Sequence, residues 1–588
     1  MAKKPQSKSK KRKKLTPEER QKNKRREYHI RTVQSVLRNA GFDRVPEVAN
    51  KDISWGGQDG EFDDVFVSEN MVLLLEYTTS QSSDVREHLK KKKIIFSNVV
   101  ADPKGFLDYL RGNFSEFNKR LGNKFHEDRY IIRILYCSLN EFDESIKDVV
   151  NEPVYFDYPV LKYFEKISSI IKLSVRGELL EFLRIDPSDV AENGLFQQQG
   201  NSRTLNGSIL PEASSGFPTG YKVVSFYVDA ASLLSRAYVL RRDGWRGSSQ
   251  AYQRMINSSK IESMRKKLKT DQQVFVNNLI ATLPSDVHPE EKDGKTVDIT
   301  TLTKTSPVKI RLPERANSIG MIDGQHRLFS YYKSRNDDPE IARLRHHQNL
   351  LVTGVIYPPD VDEEEQERFE AKLFLSINAT QTNAPTPLRQ EIETVLNPFS
   401  ATAIGRRVMA QLAKNGPLTG YVEKYFFDKG KLKTSSIVSY ALGPLLKLSG
   451  TDSLFYIFDH ENKEKINTES GQKVLNEYIN FSVSKINMFL NAVKNNVEAK
   501  RWTTDPKQKD RLVTVTYINS FLITMRYLIE SGNKIDEFSS LKAALSDIDS
   551  FNFRAYHSSQ YARMAENLFQ TYFASDYTNR NKPANDSS

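Results

Sequence analysis

Ile319-Gly320-Met321-Ile322-Asp323-Gly324-Gln325-His326-Arg327-Leu328-Phe329 is the stretch on which the reading of this chain turns. Ile319–Ile322 is short and apolar, as a buried strand is. Leu328-Phe329-Ser330-Tyr331-Tyr332 opens an amphipathic helix running to Lys333. Between them, Asp323–Arg327 forms a strand–loop–helix junction, where free backbone N–H groups favour an anion. Gly324 lets the chain turn tightly or approach a ligand closely. Arg327 offers a planar fork of donors that suits phosphate, and His326 can donate a hydrogen bond or exchange a proton near neutral pH. Asp323 can bind a metal or orient His326 or Arg327. The plainer alternative is that Asp323 caps the helix while His326 and Arg327 make ordinary surface contacts.

Around this junction, residues 221–398 read as an α/β domain. Lys222–Val228 predicts a strand, Ser248–Leu268 a mainly helical stretch, Val274–Leu283 and Leu350–Tyr357 further strands, and Glu363–Leu375 a charged helix. The pentapeptide is the eponymous motif of the DGQHR-domain family, which includes DndB-like regulators of DNA sulfur modification. Its neighbourhood resembles the family too, through Tyr252-Gln253-Arg254 and through Phe374-Leu375-Ser376-Ile377-Asn378 followed by Thr380-Gln381. The resemblance implies a ParB/sulfiredoxin-like fold whose loop binds nucleotide phosphates, a nucleoside triphosphate for example, or contacts DNA. Asp323, Gly324, Gln325, His326 and Arg327 would form that site, with Asn378 and Gln381 as further contributors; Asn378 reads equally well as a helix C-cap.

Upstream, residues 27–190 form a second α/β pattern. Phe62–Val67 and Met71–Tyr77 predict strands joined by a turn at Glu69-Asn70, Asp84–Phe96 a basic helix, Tyr130–Cys137 a buried strand and Leu161–Leu183 a helix. Asp63 and Asp64 lie on one strand and Glu76 ends the next. Such carboxylates can converge on one side of a sheet and hold Mg²⁺ with water completing its shell. The arrangement resembles the Asp…Glu-x-Lys restriction-endonuclease-like superfamily, in which two acids bind metal and a lysine positions the attacking water. Asp63 (or Asp64) and Glu76 match the acids. Thr78 stands where that pattern has lysine, and some members supply the lysine from the following helix, where this chain carries Lys90 to Lys93. The plainer alternative makes the acids turn residues and the lysines a solvated face.

Charge is concentrated at the beginning. Of a net charge of +12, residues 1–26 carry 13 Lys/Arg against two Asp/Glu, so the remainder is nearly neutral. This segment, with Lys10, Lys11, Arg12, Lys13 and Lys14 at its centre, reads as a disordered arm that attracts phosphate backbones without reading sequence. Thr16-Pro17-Glu18-Glu19 predicts a capped helix start, and Gly41 a stop. Residues 191–220, rich in Gln, Gly, Ser and Pro, read as a linker, residues 399–575 as mostly helical and 576–588 as a polar tail. Tyr421, Tyr425, Phe426, Phe427, Phe455, Tyr456 and Phe458 in the helical region fit a core better than base stacking. The single cysteine, Cys137, excludes an internal disulfide and a Cys-rich zinc site. No apolar run approaches the roughly 18–20 residues that span a bilayer, and no apolar segment follows the charged N-terminus as in a secretion signal, so a cytoplasmic protein without a membrane partner is expected.

The expectation is therefore an α/β multidomain protein: a restriction-endonuclease-like domain, a ParB/sulfiredoxin-like DGQHR domain and a helical C-terminal region. Its resemblances imply DNA as partner, Mg²⁺ as cofactor, and a setting in prokaryotic DNA modification, restriction or antiphage defence alongside other proteins of such an operon. The alternatives are a non-enzymatic DNA-binding regulator and a nucleotide hydrolase or switch on a degenerate nuclease scaffold.

Overall fold

A computed structural model describes residues 16–142, 144–191, 204–241, 245–246, 253, 255–381, 386–468, 471–532, 535 and 537–574; the side chains of 82, 83, 144 and 379–381 lie outside that description. So do Lys10 to Lys14, Tyr252, Arg254, residues 192–203 and the tail from 576. The described residues up to Val361, except Gln253, form one compact unit; Gln253 and those from Asp362 form a second.

The first unit is mixed α/β. Helix α1 (Pro17–Asn39) begins with the expected capping box, Thr16 and Glu19 bonding each other's backbone N–H. Residues 17–26 are therefore helical, which corrects the disordered arm at its C-terminal end. Strands β1 (Asp43–Arg44), β4 (Asp64–Ser68), β5 (Met71–Thr78), β6 (Ile131–Ser138) and β7 (Val154–Phe156) form a five-stranded sheet in the order β1-β4-β5-β6-β7; β2 (Ile53–Trp55) and β3 (Gln58–Gly60) make a separate ribbon. The turn at Glu69-Asn70 makes β4 and β5 antiparallel, while β6 runs parallel to β5 and to β7. All eight residues of β5 are buried, because both faces are covered. On one face Leu73, Leu75 and Tyr77 meet α1; on the other Val72 and Leu74 meet helix α2 (Ser82–Ala101). Cys137 is buried in the first of these cores.

A seven-stranded mixed sheet follows, built from β8 (Thr204–Ile209), β9 (Lys222–Asp229), β10 (Ala237–Tyr238), β11 (Leu279–Leu283), β12 (Ser306–Arg311), β13 (Ile319–Asp323) and β14 (Asn349–Ile356), in the order β10-β13-β11-β14-β9-β8-β12. Three expectations change here. The linker contains β8, which pairs with both β9 and β12, so backbone pairing overrides a Gly- and Ser-rich composition. The strand expected from Val274 starts only at Leu279, opposite Val352; Gln272 takes a left-handed φ of 53° and Val276 is 86% exposed. The helical stretch expected from Ser248 is a helix over Ser258–Asp271 among the described residues. One apolar core runs without a break from Val33 of α1 to Ile356 of β14.

The second unit is helical, including Glu363–Gln381, Ala401–Lys414, Gln472–Asn495 and Val515–Glu530, around its own core. The charged helix expected to close the central domain thus belongs to the helical unit. Phe458 is in that core, with Tyr421 and Phe455 packed against it. No helix among the described residues is long and apolar enough to cross a membrane.

Candidate functional site

Two groups of polar side chains stand out in the first unit, and they differ in what they leave open. The first lies where β4 and β5 meet α2. Because strand residues alternate between faces, Leu74, Glu76 and Thr78 share the α2 side of β5. Glu76 is buried, its side chain 3% exposed, yet its Oε1 accepts a hydrogen bond from Lys92 Nζ at 2.7 Å. The same ammonium donates to the Glu61 carbonyl at 2.7 Å. Burial pushes the Glu76 carboxyl up to about 8; Lys92 pulls it down, and the nearby charges of Asp63 and Glu61 raise it. Glu76 Oε2 makes no hydrogen bond among the described residues. Asp63 completes the group: its Oδ2 accepts the Tyr77 amide at 2.7 Å, and its Oδ1 lies 3.9 Å from Arg26 Nη2 of α1.

The lysine that meets Glu76 is Lys92; Lys90 and Lys93 are exposed. Its position was readable from periodicity. Val85, Leu89, Phe96 and Val99 form the buried stripe of α2, and 92 falls on that stripe at i+3 from Leu89 and i−4 from Phe96. A lysine on an apolar stripe needs a buried partner, and Glu76 is that partner. His88, one turn earlier, lies with Nδ1 2.8 Å from the Tyr136 hydroxyl; burial and the Lys92 charge lower its pKa.

Asp64 does not join this group. Only 1% exposed, it accepts from Arg44 Nε at 2.7 Å, Gln34 Nε2 at 2.8 Å and the Tyr77 hydroxyl at 3.3 Å. These are partners on β1, α1 and the α1 face of β5, so Asp64 ties the helix to the sheet and is removed as a metal-ligand candidate. Thr78 is buried and accepts the Ser80 amide at 3.2 Å.

The second group is the loop Asp323–Arg327. Gly324 adopts φ of 96°, and a Cβ there would run into Leu279 Cδ2, so the turn requires glycine. The helix that follows spans only Gln325–Phe329. Beyond it the chain passes into turns, Tyr331 and Tyr332 bonding the carbonyls of Leu328 and Phe329, and Arg265 and Arg345 take the carbonyls of Ser330, Tyr331 and Tyr332. That corrects the longer amphipathic helix and leaves one turn at the proposed anion site. Arg327 Nη2 donates to Asp323 Oδ2 at 2.8 Å and to the Asn278 carbonyl at 2.9 Å. Gln325 Oε1 accepts from Arg241 Nε at 3.2 Å, and Arg241 Nη1 donates to Glu178 Oε2 at 3.0 Å. His326 Nε2 accepts the Asn257 amide at 3.1 Å. Burial, then the charges of Lys260 and Arg241, lower its pKa to about 4, so it is neutral near pH 7 and does not act there as a cationic phosphate donor. Four of the five motif residues thus have inward partners or a steric role, and the loop braces β13 against its neighbours.

Asn378 and Gln381 lie in the helix Glu363–Gln381 of the second unit. Asn378 Nδ2 donates to the Phe374 carbonyl one turn back at 2.8 Å, within a helix that continues beyond it, so it is no C-cap. Comparison of the chain with protein-family models, with curated proteins and with solved structures finds no match.

Proposed function

We propose that the first unit is a metal-dependent nuclease module acting on DNA, with Asp63, Glu76 and Lys92 as its working residues. The observation that carries this is the Glu76–Lys92 pair beside Asp63: a buried acid, a lysine drawn in from the following helix and a second acid at the start of the neighbouring strand. This is the variant of the Asp…Glu-x-Lys pattern in which the helix supplies the lysine, and it accounts for Thr78 standing at the strand position.

The residues fit a hard divalent cation of the Mg²⁺ kind. Asp63 and Glu76 are close enough for one charge to raise the other's pKa, and among the described residues Glu76 Oε2 makes no hydrogen bond. Among the described residues no cluster of three or more His, Cys, Asp or Glu could hold a metal alone. Two carboxylates with water and phosphate filling the shell is how Mg²⁺ is commonly held. Bound there, the ion would activate water and stabilise the phosphoryl oxygens. Lys92 would orient the attacking water by hydrogen bonding, and Arg26 would bring the basic face of α1 to the scissile phosphate. Residues 16–28 are exposed throughout and include Arg20, Lys22, Lys24, Arg25 and Arg26, a surface suited to a phosphate backbone. The setting in DNA modification, restriction or antiphage defence rests on the family resemblances.

The test is incubation of the full chain with supercoiled plasmid and with linear duplex, with and without Mg²⁺ or Mn²⁺. Glu76→Ala and Asp63→Asn should abolish cleavage while leaving DNA retention intact, and Lys92→Met should lower the rate by about 100-fold or more. Cleavage unchanged in Glu76→Ala would remove the assignment. A second reading, a DNA-binding regulator that does not cut, is favoured by Thr78 at the lysine position; retention of DNA without cleavage under every metal would select it.

A further inference from the structure

Phe329, the last residue of the short motif helix, forms part of the wall of a cavity of about 350 Å³. The turn from Ile171 into the helix Arg176–Phe182, the short helix Ala230–Leu234, β10 and the helix Pro339–His347 enclose the rest. Its walls are mixed. Leu173, Leu234, Val239 and Phe329 provide apolar surface and Tyr238 a second ring, while four Lys/Arg against two Asp/Glu give it an excess of positive charge.

Arg241 is the decisive residue. It is 2% exposed. Its Nε is used by Gln325 and its Nη1 by Glu178, but its Nη2 is buried and has no hydrogen-bond partner. Arg176, also in the wall, buries an Nε in the same condition. Arg345 is different: Asp337 takes both of its terminal nitrogens and the Tyr331 carbonyl its Nε. Buried donors of a charged group are rarely left unmet, and Arg241 and Arg176, which carry these two, both line this cavity.

We propose that this cavity binds a small organic phosphate, no larger than a mononucleotide, through the guanidinium of Arg241. A guanidinium fork matches phosphate oxygens. The positive excess suits a phosphomonoester, which carries nearly two negative charges at neutral pH, better than a carboxylate with one. The apolar and aromatic walls receive the organic part. The volume is at the lower end of small-molecule pockets, which sets the size limit.

The experiment titrates the full-length protein with the four nucleoside 5′-monophosphates, inorganic phosphate and acetate at millimolar concentration, following Tm and heat of binding. At least one nucleotide is expected to raise Tm and to bind more tightly than inorganic phosphate. Arg241→Lys, and independently Ala342→Leu, which fills the cavity without removing a hydrogen bond, should each weaken it by about tenfold or more. Far-UV circular dichroism checks both variants, and if Arg241→Lys does not fold, Ala342→Leu decides. Absence of binding by all phosphates, binding untouched by the variants, acetate binding as tightly as any phosphate, or inorganic phosphate matching the nucleotides would each overturn the proposal.

Discussion

Glu76 shows how much chemistry one buried carboxyl can carry. Its pKa is raised from an ordinary 4.5 to about 8, chiefly by burial. The protonated form is thus the one the fold favours. The stability this contributes is complete below about 4.5 and is lost as pH rises through about 8. A cation at this site needs the ionised form, so binding must displace a proton when the pH lies below 8. Mn²⁺ titrated calorimetrically at pH 7, in two buffers of different ionisation enthalpy, should therefore release close to one proton per ion. Its affinity should rise with pH up to about 8, and Glu76→Gln should eliminate both effects. Proton release of zero in the wild-type protein would contradict the assignment of Glu76 as a ligand. His29 shifts the other way: it is fully buried against the Cys137 carbonyl, and burial lowers its pKa to about 4. The stability it contributes is present above about 6.5 and is lost as pH falls through about 4.

Helix α1 has two halves with different duties. Its C-terminal half buries Val33, Val36 and Leu37 against the five-stranded sheet, whereas its first twelve residues are exposed and mostly charged. The capping box at Thr16 and Glu19 holds the exposed half in helical form; such a cap contributes about 1 kcal/mol. Arg26 marks where the basic half reaches the acids, 3.9 Å from Asp63. If this half holds the phosphate backbone, replacing Lys22, Lys24 and Arg25 together by Gln should lower the slope of log Kobs against log salt for duplex binding. The slope should fall by about 0.9 for each phosphate that is no longer neutralised, with little change in Tm. An unchanged slope would place the DNA surface elsewhere. Helix α2 follows the same logic in reverse: its exposed lysines 90, 91 and 93 are solvated, and only Lys92, on the buried stripe, is committed to the site.

At the scale of the molecule, core continuity groups the elements. The apolar core that starts under α1 continues through both sheets to β14, while the helices from Asp362 surround a separate core running from Ile404 to Ala574. A unit with its own core can fold alone. A fragment of residues 362–588 should therefore show a helical circular dichroism spectrum and a cooperative thermal transition; a fragment without cooperative unfolding would show that this core depends on the first unit. The hydrogen-bonded chain Gln325–Arg241–Glu178 explains why the first unit is larger than either α/β pattern: the motif loop of one sheet is tied to the helix Arg176–Phe182 that follows the other.

Local pattern by itself determined a good deal. The α/β character of the first 360 residues, the hairpin at Glu69-Asn70, the capped start of α1, the need for glycine at 324 and the helical C-terminal region are set by periodicity, capping and turn chemistry between near neighbours. The acids Asp63 and Glu76 were legible as a pair because the hairpin between them brings the start of one strand beside the end of the next. Tertiary structure decided the rest. It tied Asp64 to Arg44 and Gln34 while Asp63 took the Tyr77 amide, chose Lys92 among four adjacent lysines and made β8 from a stretch whose composition reads as linker. It also turned the side chains of Gln325, His326 and Arg327 inward, onto Arg241, the Asn257 amide and Asp323. Most of these outcomes depend on partners far away in the chain, and which donor meets which acceptor is fixed only when the sheets and helices that carry them are packed.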